Sequence, residues 1–237
     1  MEPGSLVAPD GSVLTPERAE TALRALYAVP TPWVRVSMIQ SVDGRAAGAD
    51  GSSRSLNGEE DLRILRVARS WADVVLVGAE TARAEEYGDV RLRPEFVRAR
   101  AGVFRRPLPD LAIVTRSGDV PEDLDPERTW LVTCEDAPAA ELAEEWGDRV
   151  IVAGDRDVDP SLMLSGLARR GLTRVLCEGG PQLASLLLDA DAVDDYCLTT
   201  SPARGGADAP AVPPVPAGWA LAHTLAGNDF RMERWTR

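Results

Sequence analysis

The chain has 237 residues, with 26 basic and 38 acidic side chains and a formal charge of −12. Every basic residue is arginine, which excludes Schiff-base chemistry and a lysine-dependent phosphate loop, and a single histidine (His223) excludes a two-histidine metal site. Cys134, Cys177 and Cys197 form neither a CxxC pair nor a zinc knuckle, no apolar run is long enough to span a membrane, and the excess of acid argues against nucleic acid as a partner.

Unpaired cysteines and the lack of a basic-then-apolar leader predict a cytoplasmic protein with reduced, buried thiols. Thr15-Pro16-Glu17 reads as an N-cap followed by proline at the first helical position, predicting a helix to about residue 28. Residues 1–30 are thus expected as a helical extension of one domain covering 1–237. Trp33–Gln40 reads as a strand with Val34, Val36 and Met38 on one side and Arg35 and Ser37 on the other. Asn57 can cap the next helix, whose first turn carries Glu59, Glu60 and Asp61, favoured there by the helix dipole. Leu62, Leu65, Ala68, Arg69 and Ala72 share one of its faces.

Residues 74–77 are wholly apolar, the mark of a strand covered on both sides, and similar runs follow at 111–114, 131–133, 150–153 and 175–177. Helices are expected at 138–146, 160–170 and 181–190, the second capped by Asp159 and closed by Gly171. After a strand at 196–200 the alternation stops. Residues 219–225 and 230–235 read as two strands joined by a turn at 226–229. The fold class that follows is α/β, a mostly parallel central sheet flanked by helices and finished by a C-terminal antiparallel hairpin.

Several stretches have the composition of a ligand site. Glu178-Gly179-Gly180-Pro181 follows a buried strand and opens a helix, an arrangement that suits a pyrophosphate and equally suits a tight turn. Gly78-Ala79-Glu80-Thr81 repeats that theme. Thr115-Arg116-Ser117 has the donors for a ribose 2′-phosphate, although by itself a solvated turn is the better reading. Asp43-Gly44 is first a turn signal and second a carboxylate at a strand end.

The order of these motifs carries more than any one of them. Ser41-Val42-Asp43-Gly44-Arg45, Ser53-Arg54-Ser55, Arg69, Gly78-Ala79-Glu80-Thr81, Thr115-Arg116-Ser117, Glu178-Gly179-Gly180-Pro181, then Ser201-Pro202 before Gly205-Gly206, together resemble the reductase domain of the bacterial riboflavin-biosynthesis deaminase-reductase. The resemblance implies a dihydrofolate-reductase-like fold, a homodimer, and NADPH-dependent reduction of the ribose of 5-amino-6-(5-phosphoribosylamino)uracil. By position it places Gly78, Thr81, Glu85, Thr115, Arg116, Ser117, Gly179, Gly180, Pro181, Gln182 and Leu183 at the cofactor. It places Ser53, Arg69, Glu178 and either Arg91 or Arg93 at the phosphorylated substrate. Asp43, a carboxylate at a strand end, is the candidate for assisting proton delivery to the departing ring oxygen, and the composition leads to no expected metal. The chain departs from the family at Ser55, where an aromatic residue is usual, and at Glu85-Glu86-Tyr87-Gly88, and it lacks the zinc deaminase half. A dihydrofolate or pterin reductase of the same fold is the first rival; an NADPH-binding protein without catalysis is the second. With so negative a chain, phosphorylated ligands imply local basic pockets.

Overall fold

The apolar runs form the middle of one eleven-stranded sheet in a computed structural model that describes residues 2–15 and 20–237. In chain order the elements are β1 (Leu6–Val7), β2 (Val13–Leu14), α1 (Glu20–Leu26), β3 (Trp33–Gln40), α2 (Glu59–Arg69), β4 (Val74–Gly78), α3 (Ala79–Ala84), α4 (Pro94–Arg100), β5 (Asp110–Val114), β6 (Thr129–Thr133) and α5 (Ala139–Trp146). They continue with β7 (Val150–Val152), α6 (Pro160–Ala168), β8 (Arg174–Cys177), α7 (Pro181–Asp189), β9 (Asp195–Thr200), β10 (Ala220–Gly227) and β11 (Phe230–Thr236).

The strand order is β2-β1-β10-β11-β9-β3-β8-β4-β5-β6-β7, parallel from β9 through β7 and antiparallel from β9 outward to β2. Strand alternation divides the core. Val74, Leu76, Val175 and Cys177 meet α6 and α7 through Met163, Leu167, Leu183 and Leu187 on one face. Val75, Val77, Leu111 and Ile113 meet Ala68, Ala82 and Leu142 from α2, α3 and α5 on the other. The chain leaves β3, builds the sheet out to β7, and returns to insert β8 beside β3. That reversal opens a crevice at the carboxyl ends of β3, β8 and β4, the place where open α/β sheets take ligands.

Several expectations need correction. The start of the N-terminal helix at Pro16 and Glu17 lies outside the described residues, and the extension is not simply helical: β1 and β2 form a hairpin that pairs with β10 at Val7↔Ala226. Two-residue strands leave no alternation to read. The cap of α2 is Gly58 rather than Asn57, and its backbone offers no side-chain bond. The C-terminal turn is only Asn228-Asp229, both at positive φ (44° and 66°), which lengthens β10 to Gly227. Helix α4 was not anticipated, because its anchor is a charged residue. Arg100 is 1% exposed and donates to the carbonyls of Ser70 (3.2 Å) and Ala72 (2.6 Å).

Both faces of β3 are covered, so Arg35 is buried too, in a bidentate pair with Asp195 (2.8 and 2.5 Å). All three cysteines are buried and free. His223 packs edge-on against Tyr27 with ring centroids 5.1 Å apart, and burial pushes its imidazole down to about 4. No helix among the described residues is long and apolar enough to cross a membrane.

Candidate active site

The crevice between β3 and β8 holds a cavity of about 780 Å³, roofed by α2, the 53–55 turn and the segment after α3. Its floor is Ser37, Met38 and Ile39 of β3, and one wall is Glu178, Gly180, Pro181 and Gln182. The second glycine is required by space: a Cβ on Gly180 would stand 2.5 Å from the Thr81 hydroxyl oxygen. Gly179, at φ 100°, bonds its carbonyl to the N–H of Gly78 (2.9 Å), locking the ends of β8 and β4 together. Helix α7 begins without a side-chain cap, so its first N–H groups face the cavity end unpaired by a cap, with Thr81 beside them.

Glu178 is the best-held group. Its side chain is 3% exposed, and Arg69 embraces it with Nε to Oε1 (2.7 Å) and Nη2 to Oε2 (2.6 Å). Tyr87 donates its hydroxyl to Oε2 (2.6 Å). Burial works against the Arg69 charge, but the Glu178 carboxylate outweighs it and holds the guanidinium firmly protonated. Glu85 organises the opposite rim. It accepts from Ser52 Oγ (3.0 Å) and the Ser53 N–H (2.7 Å), while Arg54 bridges to Glu86 (2.9 Å) and the Glu85 carbonyl.

The fold has relatives of known structure. A pyrimidine reductase-like protein of Corynebacterium diphtheriae superposes with a TM-score of 0.72 at 25% identity, over 86% of this chain and 91% of that one. Residues 32–223 match the RibD C-terminal domain family. The chain belongs to the RibD C-terminal domain family. It is an oxidoreductase, as family members similar to it are. The 2,5-diamino-6-ribosylamino-4(3H)-pyrimidinone 5′-phosphate reductase of Methanothermobacter thermautotrophicus is 33% identical over 184 residues, covering 75% of this chain and 82% of the relative. RibD of Mycobacterium tuberculosis is 29% identical over 184 residues, but this chain spans only 46% of its length.

Of the residues that the family pattern singles out, the structure brings Ser53, Arg69, Thr81, Glu85, Glu178, Gly180, Pro181 and Gln182 to the cavity, with Gly78 and Gly179 immediately behind. Leu183 belongs to the core at 6% exposure. Thr115, Arg116 and Ser117 lie past the end of β5, two strands along the same sheet edge from β8. There the Thr115 hydroxyl accepts from Gly118 N–H (3.0 Å), and the exposed Arg116 pairs with exposed Asp157 (3.1 Å). Arg91 and Arg93 are exposed and outside the lining, Arg93 lying 4.0 Å from Glu95.

Asp43 is also outside the lining. The Gly205 N–H and then the Ser41 hydroxyl hold its exposed carboxyl below the usual carboxylate range, which suits a turn and makes it a poor acid. Among the described residues, the cavity lining is not the expected basic pocket. Two arginines, Arg54 and Arg69, face seven carboxylates in the lining, and both are already paired with acid.

Among the polar lining residues without a role in the sequence reading are Arg54, Tyr87 and Asp61. Asp61 is the unusual one, 8% exposed, where burial first and the Glu178 charge in addition push its carboxyl up to about 6 against the Thr199 hydroxyl. A signal for it existed. Asp61 lies four and eight residues before Leu65 and Arg69, so all three share a stripe of α2.

The raised value has a consequence for stability. The folded protein binds that proton more tightly than the unfolded chain does, so the stability it contributes is complete below the ordinary aspartate value of 3.8 and is lost as pH rises through about 6. Asp61→Asn, which does not ionise, is expected to be about 2–3 kcal/mol more stable than wild type at about pH 8 and nearly equal at about pH 4. Urea unfolding at both pH values measures this; equal gains at the two would refute it.

Proposed function

We propose that the chain reduces the ribosyl group of a 5′-phosphorylated ribosylaminopyrimidine to a ribityl chain, with NADPH as reductant. The observation that supports this most directly is one cavity joining two kinds of site: the uncapped start of α7 with Thr81, and the Asp61, Arg69 and Glu178 cluster across from it. The residues present fit a dinucleotide, because a Cβ at Gly180 would crowd the Thr81 hydroxyl and glycine leaves that approach open. Gly180, Pro181 and Gln182 would hold the pyrophosphate. Thr115-Arg116-Ser117, on the same sheet edge, would meet the adenosine end.

NADPH when bound supplies a hydride for the anomeric carbon. In the substrate the ring C–O bond breaks, its oxygen takes a proton, and the anomeric carbon gains the new C–H bond, one hydride and one proton in all. The chain's share is placement and exclusion of water. Met38, Ile39, Leu62 and Leu65 supply apolar walls, Glu178 is immobilised by three hydrogen bonds, and the Glu85-anchored turn covers the mouth. The stand-alone relatives named as pyrimidinone phosphate reductases, which this chain covers over 80% or more of their length, support the same substrate class.

The test is oxidation of NADPH with the phosphoribosylaminopyrimidines and, separately, with dihydrofolate. Turnover is expected with the former and not with the latter; the reverse result removes the reading. In the same assay Arg116→Ala is expected to raise KM for NADPH about 10- to 100-fold, the loss of one charge-assisted phosphate contact, and to leave KM for NADH unchanged. The Asp157 partner costs little to displace, since that exposed pair is weak.

A further inference from the structure

Asp61 is a carboxylate whose hydrogen-bonding capacity is largely unspent. It lines the cavity at 8% exposure, and among the described residues no arginine pairs with it, whereas Glu178 has Arg69 and Glu85 has Arg54. Its hydrogen-bond partner among the described residues is the Thr199 hydroxyl on β9, and the Glu178 carboxylate adds like charge nearby. An ionised carboxylate accepts through two oxygens, and a buried one with a single hydroxyl donor is under-served, so a ligand that fills this end of the cavity is favoured when it brings N–H or O–H groups to it.

The surroundings narrow what those donors are. Asp61, Leu65 and Arg69 form a stripe along two turns of α2, which at 1.5 Å per residue spans roughly 12 Å. Acid stands at one end, leucine in the middle, arginine at the other. Leu62 and Leu65, with Met38 and Ile39 of β3, line the same cavity and supply apolar surface for a planar ring. A phosphate is repelled from Asp61 by like charge. Donors and acceptors suited to ribose hydroxyls lie instead at the polar rim of Ser53, Arg54 and Glu85.

We infer that Asp61 reads the pyrimidine ring of the substrate, accepting the adjacent C2–NH₂ and N3–H donors together, and so selects a 2-aminopyrimidin-4-one over a uracil. A uracil puts a carbonyl oxygen where the amino group would be, directly against a carboxylate oxygen. The inference rests on the proposed reduction and deepens it. It places the chain before, rather than after, a hydrolytic deamination that converts the 2-amino group to a carbonyl with release of ammonia.

The experiment compares kcat/KM for the 2,5-diaminopyrimidinone and uracil forms of the ribosylamine phosphate, in wild type and in Asp61→Asn. The carboxamide keeps the shape but presents one acceptor and one donor, the complement of a uracil N3–H and C2 carbonyl. Wild type is expected to favour the diamino substrate by at least about 10²-fold, as sites built around ligand N–H groups do. Asp61→Asn is expected to erode that ratio at least 30-fold. Asp61→Ser, which removes the carboxylate without offering a matched edge, is expected to lose the preference without gaining uracil turnover, and it serves equally should the amide variant fold poorly.

Equal losses for both substrates, or an unchanged ratio, overturn the inference, and equal losses with a shifted pH profile would make Asp61 a proton carrier. Calorimetric binding of the two ribityl phosphate products needs no hydride and separates the two claims. A binding preference that vanishes in Asp61→Asn, without reduction of either substrate by wild type, sinks the reaction and keeps the ring contact. Reduction without any ring preference sinks the ring contact alone.

Discussion

Asp195→Ala is expected to lower the unfolding free energy by about 3–5 kcal/mol, the cost of leaving buried charge without its partner. Asp195 begins β9, is 0% exposed, and binds two arginines at once: Arg35 of β3 through both oxygens, and Arg234 of β11 at 2.7 Å. Those arginines continue outward, Arg35 to the Tyr27 carbonyl (3.1 Å) and Arg234 to the Leu26 carbonyl (2.7 Å). One carboxylate therefore ties the parallel half of the sheet to the antiparallel half and to the end of α1. Burial pushes its carboxyl up, but Arg35 and then Arg234 hold it below the usual range. The sign follows: its contribution is present above the ordinary aspartate range and is lost as pH falls through the lowered folded value. Chemical denaturation at neutral pH measures the loss, and Asp195→Ala is expected to flatten the acid limb of the stability curve as well. A loss under about 1 kcal/mol would mean that water reaches the two guanidinium groups.

Arginine here has two employments that composition does not separate. Arg63 spans the carbonyls of Gly4 (2.8 Å), Leu14 (2.6 Å) and Thr15 (2.9 Å), and Arg100 those of Ser70 and Ala72. Neither carries a local sequence signal that marks it as buried. A planar fork with five donors fastens loops whose backbone has no ladder to join, a task at which lysine's point charge is poorer. In a chain without lysine, arginine count is thus a poor measure of phosphate sites, and among the described residues the cavity lining carries more acid than base rather than the basic pocket expected from the −12 charge.

What was legible follows the range of the interaction. The strands β4, β5, β6 and β8 were visible because doubly covered strands must be apolar at every position, and the glycine pair before α7 because a strand, a turn and a proline-led helix are contiguous. Glu59, Glu60 and Asp61 show the limit. The helix dipole explains three acids in a first turn, yet each has a different setting. Glu59 is exposed, Glu60 accepts from the Gly4 N–H (2.8 Å) and the Asn228 amide (2.6 Å), and Asp61 enters the cavity. Their partners lie 56 and 168 residues away in the chain for Glu60, beyond any local pattern. Tyr87 is similar: 91 residues separate it from the Glu178 oxygen it binds.

Glu178→Gln is expected to lower kcat about 10²- to 10³-fold with KM for NADPH little changed, a loss of about 3–4 kcal/mol in the transition state. The amide keeps the volume but replaces one acceptor by a donor, and either orientation sets an N–H₂ against Arg69 or against both Arg69 and Tyr87. Glu178 precedes the Gly179-Gly180 pair and closes β8, so displacement of its side chain reaches the substrate end of the cavity before the cofactor end. Tyr87→Phe removes only one of its three donors and is expected to cost about tenfold or less. Arg69→Lys replaces a two-point grip by one point and is expected to lie between them. The ordering carries the argument. If Glu178→Gln stayed within threefold of wild type while Tyr87→Phe did the same, the cluster would be structural and the reaction would be organised elsewhere in the cavity. If KM for NADPH rose in step with the fall in kcat, Glu178 would act through the glycine turn rather than on the substrate.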